Sequence, residues 1–276
     1  MTSKHFYETV YSKFGVGSYG GDANDHIWAR RIKDQKEATT DWLKKLGVRF
    51  SKDEVVLELG CGLAYLAEIH PGYVGLEFSK AAVERVRKCS RPGIQIRQGN
   101  MLNIPFENES VTAVFSWAAI EHVDRPEVVF EEIMRVLKPG GGAILAPAWH
   151  CRSWTVKKLE IRPYSDLKIL DRAEKALIPI RKSLAWRVAC EMPGRLFREA
   201  ALLLGRHADL SYRKLHPMWE LNHRYSHIAD DDALASINMH SALCYFESRG
   251  WTLLSSNSTL ARIACRSGPV VVKKPI

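Results

Sequence analysis

The chain has 276 residues, a formal net charge of +9, and is 46% hydrophobic and 26% charged; that is the composition of a globular chain of one large domain, or one domain with an insertion, not of a disordered one. No apolar run approaches the ~20 residues of a membrane-spanning helix, and residues 1–8 lack the apolar core of a secretory leader. Six dispersed cysteines with no C-x-x-C pair suit a reducing, cytoplasmic compartment and give no zinc knuckle.

Residues 1–50 set Tyr7, Tyr11, Tyr19 and Trp28 among Gly15, Gly17, Gly20 and Gly21, and read as a helical lid before the first strand or, equally, as a flexible arm that makes no contact with a cofactor. Residues 53–60 are a short apolar run stopping at glycine, the pattern of a buried parallel strand. Residues 73–77 are a second strand. Ser79 then caps a helix running to about Cys89, with Ala82, Val83 and Val86 on one face. Strands follow at 94–97 and 111–115. Residues 126–137 form an amphipathic helix with Val128, Val129, Ile133, Val136 and Leu137 inward. Lys138-Pro139-Gly140-Gly141-Gly142 ends it, before a fifth strand at 143–147. Strand and helix in alternation predict an α/β fold, a doubly wound, mostly parallel sheet.

The rhythm breaks after residue 151. Residues 152–230 hold no convincing strand, only helical segments at 164–176, 180–191 and 193–204. A further helix is predicted at 233–249. Residues 251–256 and 260–265 pair as a terminal hairpin, and 270–274 close the chain. The organisation is therefore a lid (1–50), an α/β core (51–151), a helical insertion serving as acceptor-binding cap (152–230), and a final helix and hairpin completing the core sheet (231–276). Charge follows this division: residues 51–150 are net −3, whereas 151–230 are net +7.

Glu58-Leu59-Gly60-Cys61-Gly62-Leu63-Ala64 ends the first strand, at the edge where open α/β sheets bind ligands. Alone, a G-x-G turn equally fits an ordinary tight strand–helix connection. Glu77 ends the second strand, where a carboxylate can accept both ribose hydroxyls of a nucleoside. Asn100 after the third strand can accept from an adenine amino group while Met101 packs on the ring. Ser116-Trp117 after the fourth strand can form floor and wall of the same cleft.

These residues resemble the class I S-adenosylmethionine-dependent methyltransferases over about residues 50–150. Val56-Leu57-Glu58-Leu59-Gly60-Cys61-Gly62 is similar to the family's cofactor loop. Phe115-Ser116-Trp117-Ala118-Ala119-Ile120-Glu121-His122-Val123 and Arg135-Val136-Leu137-Lys138-Pro139-Gly140-Gly141 resemble its small-molecule branch. The resemblance implies a Rossmann-like sheet of seven strands with a helical insertion after the fifth. It also implies S-adenosylmethionine as cofactor, held by Glu58, Gly60, Cys61, Gly62, Glu77, Phe78, Asn100, Met101, Ser116 and Trp117. The chain departs from the pattern at Ala64, where a third glycine is usual, and at Asn100, where aspartate is commoner. The Gly62-to-Glu77 segment leaves room only for a stub of a first helix.

The resemblance also narrows the acceptor. The turn after strand four has no Asp/Asn-Pro-Pro-aromatic sequence, no cysteine nucleophile and no acidic metal ligand, so neither base methylation nor a metal is expected. A small or medium organic acceptor is expected, methylated at oxygen: a natural product, a sugar or a lipid-linked molecule. Methylation at nitrogen and a non-catalytic cofactor-binding scaffold are the alternatives; a lone G-x-G disfavours a nicotinamide oxidoreductase. A hydroxyl acceptor needs a general base, and His122 is the first candidate, a helix-packing role being its alternative. His150 is the second, with Trp149 beside it as a substrate contact. His223 and Tyr225 are candidate substrate contacts in the insertion, and His223 with His227 would be metal ligands only on a helix and with a third partner.

The basic insertion interleaves Lys168, Arg172, Lys175, Arg181, Lys182, Arg187, Arg195, Arg198 and Arg206 with Leu, Ile, Trp186 and Phe197. It reads as a solvated basic face, as a surface resting on anionic lipid, or as a site for an acidic acceptor. Nucleic acid ranks last, since no RNA-binding appendage accompanies the charge.

Overall fold

The computed structural model describes residues 3–13, 25–89 and 93–276; Gly15, Gly17, Tyr19, Gly20 and Gly21 of the expected lid lie outside them. Helices α1 (Ser3–Lys13) and α2 (Asp25–Leu46) precede β1 (Val56–Leu59), β2 (Tyr73–Glu77), α3 (Lys80–Lys88), β3 (Gln95–Gln98), β4 (Val111–Trp117), α4 (Pro126–Val136) and β5 (Leu137–Ala146). There follow α5 (Ser153–Val156), α6 (Ile169–Lys182), α7 (Leu184–Leu203), β6 (Tyr212–Lys214), β7 (Ala235–Ile237), α8 (Met239–Glu247), β8 (Thr252–Leu253), α9 (Thr259–Ala264) and β9 (Val270–Lys273).

The main sheet has seven strands in the order β3-β2-β1-β4-β5-β9-β8. It is parallel from β3 to β5, and β9 returns antiparallel to β5. The strands β1 and β2 are buried along their whole length, which is why they read as unbroken apolar runs. Leu59 pairs with Leu76, and Glu58 with Phe115, so β1, β2 and β4 present their C-terminal ends along one edge. Ser79 caps α3 as expected, its hydroxyl accepting from the Ala82 N–H at 3.3 Å. The expected stub after the glycine loop is a single 3₁₀ turn at Ala67–Ile69.

Contacts divide the chain into two units. The first is residues 1–120, 125–147 and 269–276; the second is residues 121–124 and 148–268. By contacts the segment 231–268 groups with residues 148–230, while β8 and β9 take the last two places in the main sheet. Four expectations are corrected in the second unit. The insertion does hold a strand, β6, antiparallel to β7, and it was hidden because three residues show too little period. The helix expected from residue 233 begins only at Met239, after β7, where the Asn238 side chain accepts from the Ser241 N–H. The expected second hairpin strand is helix α9, started by the Ser258 hydroxyl accepting from Ala261 N–H at 3.2 Å. Finally, α6 runs through Pro179 and α7 through Pro193, and the break falls at Ser183, whose hydroxyl caps Trp186 N–H at 3.2 Å. The segments expected at 164–176, 180–191 and 193–204 are thus two helices, divided at the Ser183 cap.

Candidate active site

The glycine turn is fixed from both sides. Gly60 has φ +71°, and a Cβ there would lie 2.4 Å from the Ala119 Cβ; Gly62 has φ +52°, and its Cβ would lie 2.9 Å from the Tyr11 hydroxyl. Only glycine fits such positions without strain. Ala64, in the third glycine's place, sits fully buried in the same left-handed region at φ +53°. The Gly60 and Cys61 N–H groups donate to the Leu76 carbonyl at 2.9 and 3.2 Å. The Gly62 N–H donates at 2.9 Å to one oxygen of Glu77, and the Ser79 N–H donates at 2.9 Å to the other. Glu77 is buried, and burial raises its pKa against the pull of those N–H bonds.

Beneath the turn, Glu58 accepts a hydrogen bond from the Tyr73 hydroxyl and is buried, which pushes its carboxyl up to about 8. Burial, with Glu58 and Glu77 as neighbours, also raises the Cys61 thiol, so Cys61 is a packing group and not a nucleophile. Met101 closes on the turn, its Cε 3.4 Å from where a Gly60 Cβ would stand. The Asn100 amide oxygen accepts from the Leu102 N–H at 2.9 Å, an Asx turn that shapes the loop after β3. The Ser116 hydroxyl is fully buried and donates to the Leu59 carbonyl at 3.0 Å, so its side chain ties β4 to β1 instead of lining a floor. Trp117 donates its indole N–H to the Thr39 hydroxyl at 2.9 Å, joining the end of β4 to α2.

Helix α1 seats on the same edge. The Glu8 carboxylate accepts from the Lys80 and Ala81 N–H groups at 2.7 and 3.0 Å, at the start of α3. Arg85 donates to the Tyr11 carbonyl at 3.0 Å, and the buried Tyr7 meets Phe78 edge-on at 5.7 Å. Sequence reasoning missed Glu8, whose partners lie over seventy residues away with no local signal. The half-buried Phe78 and Met101, the bare glycine backbone and the buried Glu77 together offer apolar faces and a hydroxyl acceptor at one edge. The residues present therefore fit a nucleoside-bearing cofactor.

The other candidates belong to the second unit. His122 has Nδ1 3.5 Å from the Asp232 carbonyl oxygen and 3.7 Å from its carboxylate, and Nε2 3.8 Å from Glu121. Burial works to lower its pKa, but Asp232 and Glu121 outweigh that and raise it. Glu121 is wholly buried; one oxygen accepts from the Ala148 N–H at 3.0 Å and the other has no hydrogen-bond partner. His150 sits at φ +60° with a buried, unpartnered Nε2, and burial lowers it to about 4, Glu191 opposing and Arg152, Arg195 and Arg266 assisting. Trp149 donates to the Gly268 carbonyl at 2.8 Å. Tyr225 donates to Asp166, and His223 is exposed.

His223 and His227 do not form a helical pair, because only a 3₁₀ turn at Trp219–Leu221 precedes them. His227 pairs instead with Asp231 at 2.6 Å. Among the described residues two groups have ligand-like spacing, His227 with Asp231 and Asp232, and Glu199 with His240 and Cys244. Each already holds a cation, Lys158 on Asp231 and Arg262 on Glu199.

Residues 57–145 match the family model of a methyltransferase domain. A protein of Mycolicibacterium smegmatis named "Probable S-adenosylmethionine-dependent methyltransferase" is 37% identical over 90 residues, covering 31% of this chain and 35% of that protein. The phthiotriol/phenolphthiotriol dimycocerosates methyltransferase of Mycobacterium tuberculosis is 34% identical over 93 residues, covering 31% and 34%. The match thus spans about a third of the length of these relatives. A solved structure of CalS10, an amino pentose methyltransferase from Micromonospora echinaspora, aligns at a TM-score of 0.37 and 21% identity over 45% of this chain and 56% of that one. Over residues 57–145 this chain is therefore similar to methyltransferase domains, among them one of a protein named for S-adenosylmethionine.

Proposed function

We propose that the chain transfers the methyl group of S-adenosylmethionine to a hydroxyl oxygen of a small or medium organic acceptor, of natural-product, sugar or lipid-linked type. The observation that carries the cofactor half is Glu77, a buried carboxylate drawn onto the glycine turn by the Gly62 and Ser79 N–H groups. The name of the M. tuberculosis relative supports a lipid-borne acceptor.

When bound, S-adenosylmethionine supplies an activated sulfonium methyl group and its own leaving group. The protein's part is positioning, exclusion of water and removal of one proton. Glu77 accepts ribose hydroxyls; Met101 and Phe78 flank the base. His122 takes the acceptor's hydroxyl proton at Nε2. Its Nδ1 faces Asp232, which keeps the other proton in place and makes the imidazole a stronger base. Because Asp232 and Glu121 raise its pKa, His122 serves as base on the alkaline side of that value and is protonated below it.

The test is radiolabel transfer from methyl-labelled S-adenosylmethionine across panels of hydroxylated sugars, phenols and lipids, with the product's methylated atom assigned by NMR. Transfer to oxygen, lost in His122→Ala, is the expected result. Transfer to nitrogen, or cofactor binding with no turnover across the panels, would replace the proposal with one of its alternatives.

A further inference from the structure

One helix of the second unit, α7, is inside out, and α6 carries an exposed apolar side. On α6 Asp171 and Glu174 pair with Lys157 at 3.2 and 2.7 Å, Arg181 with Glu174 at 3.4 Å, and Lys182 with Glu160, while Ile178 is the one buried residue. The outer side is apolar. Ile169 and Leu170 are 83% and 84% exposed, and Leu177 and Ile180 about half. On α7 the buried residues are Arg195, which donates to the Ile263 and Cys265 carbonyls, and Glu199, which pairs with Arg262 at 2.6 Å. Its outer side carries Leu184, Trp186, Leu196, Phe197 and Leu203, the last two 71% and 86% exposed, and the exposed Leu204 follows at its end. A surface helix of a globular protein is built the other way round, and so many large apolar side chains in solvent on one helix pair mark a docking face.

Charge decides what docks there. Residues 168–206 hold nine Lys and Arg against four Asp and Glu. All four acids are paired: Asp171 and Glu174 with Lys157, Glu191 with Arg266, and Glu199 with Arg262. Lys168, Arg172 and Arg206 stand exposed beside the apolar side chains. A second copy of this face would set cation against cation. A bilayer with anionic headgroups takes both features at once, apolar side chains into the acyl boundary and cations at the phosphates. Among the described residues no helix is long and apolar enough to cross a membrane, so the geometry is that of helices lying in the interface.

We propose that α6 and α7 form an interfacial pair that seats this protein on an anionic lipid surface. The proposal does not rest on methyl transfer, and its test needs neither cofactor nor acceptor.

The full chain is sedimented with vesicles of phosphatidylcholine alone and of phosphatidylcholine with phosphatidylglycerol in equal parts. Binding is expected to be strong on the mixed vesicles and weak on the neutral ones. The triple variant Phe197→Ser, Leu203→Ser, Leu204→Ser should lose about a hundredfold in partitioning. Lys168→Gln and Arg206→Gln should each cost about fivefold on mixed vesicles and nothing on neutral ones, with circular dichroism unchanged in every variant. A folded chain that stays in the supernatant would overturn the proposal, and so would equal binding to both vesicles. A dimer in sedimentation velocity without lipid, abolished by the triple variant, would give the face to a second copy instead.

Discussion

The most informative substitution in the cofactor half is Glu77→Gln. The side chain keeps its volume, but one of its two oxygens becomes an NH₂ group. In the parent each oxygen accepts one N–H, from Gly62 and from Ser79, both at 2.9 Å. The variant can serve only one of them and sets a donor against the other. A hydrogen bond to a charged acceptor contributes about 1.5–3 kcal/mol. Removing one is partly offset, because a neutral amide escapes the desolvation that raises the Glu77 pKa. A net loss of about 1–2 kcal/mol follows, read as a fall in Tm of about 2–4 °C per kcal/mol. Cofactor affinity should suffer more, because two ribose hydroxyls lose a charged acceptor. That is about 3 kcal/mol or more, a hundredfold or greater rise in Kd for S-adenosylhomocysteine. Calorimetric titration of parent and variant, with a thermal melt of each, measures both. A folded variant that binds within about threefold of the parent would refute the ribose assignment and leave Glu77 as a brace of the glycine turn alone.

Further outcomes follow from other contacts. Glu8→Ala removes the acceptor for two N–H groups at the start of α3, about 1–2 kcal/mol of local docking; hydrogen exchange in residues 3–13 should quicken roughly tenfold, and unchanged protection would discard the α1 contact. Glu58 holds a proton in the native state up to about pH 8, against an ordinary value of 4.5. Its stabilising share is therefore complete below pH 4.5 and is lost as pH rises through 8, by about 5 kcal/mol at most; Glu58→Gln should show a flatter fall of Tm between pH 5 and 8 than the parent, and parallel curves would count against the buried proton. Asp232→Asn removes a carboxylate that raises His122, so the His122 titration seen by NMR and the acid limb of methyl transfer should both move to lower pH. A titration that stays in place would detach Asp232 from His122.

Much of the first unit was legible in the sequence, for a physical reason. Parallel strands buried on both faces must be apolar throughout, and so β1, β2 and β4 announced themselves. Glu77 and Gly62 could be placed together because the strand ends sit in register. The second unit resisted the same treatment. Strands of three residues show no period, and Leu260-Ala261-Arg262-Ile263-Ala264-Cys265 alternates well enough to pass for a strand; Ser258 before it was the deciding cap. Within the site, the misses concern who takes each polar group. Ser116 and Asn100 carry the right chemistry for a ligand, but the fold uses the Ser116 hydroxyl on Leu59 and the Asn100 oxygen on Leu102. Glu8 reaches a backbone distant in sequence, which no local pattern reports. The basic insertion was visible as charge, but not the reversed burial of α7, because that helix has an ordinary amphipathic spacing and only contacts show that Arg195 and Glu199 face the protein.

The central claim is that the glycine turn and Glu77 hold S-adenosylmethionine. Isothermal titration of the full chain with S-adenosylhomocysteine, run beside NAD, tests it most directly. Saturable one-site binding of S-adenosylhomocysteine with no heat from NAD is the predicted result; no binding of S-adenosylhomocysteine by the folded chain would contradict it.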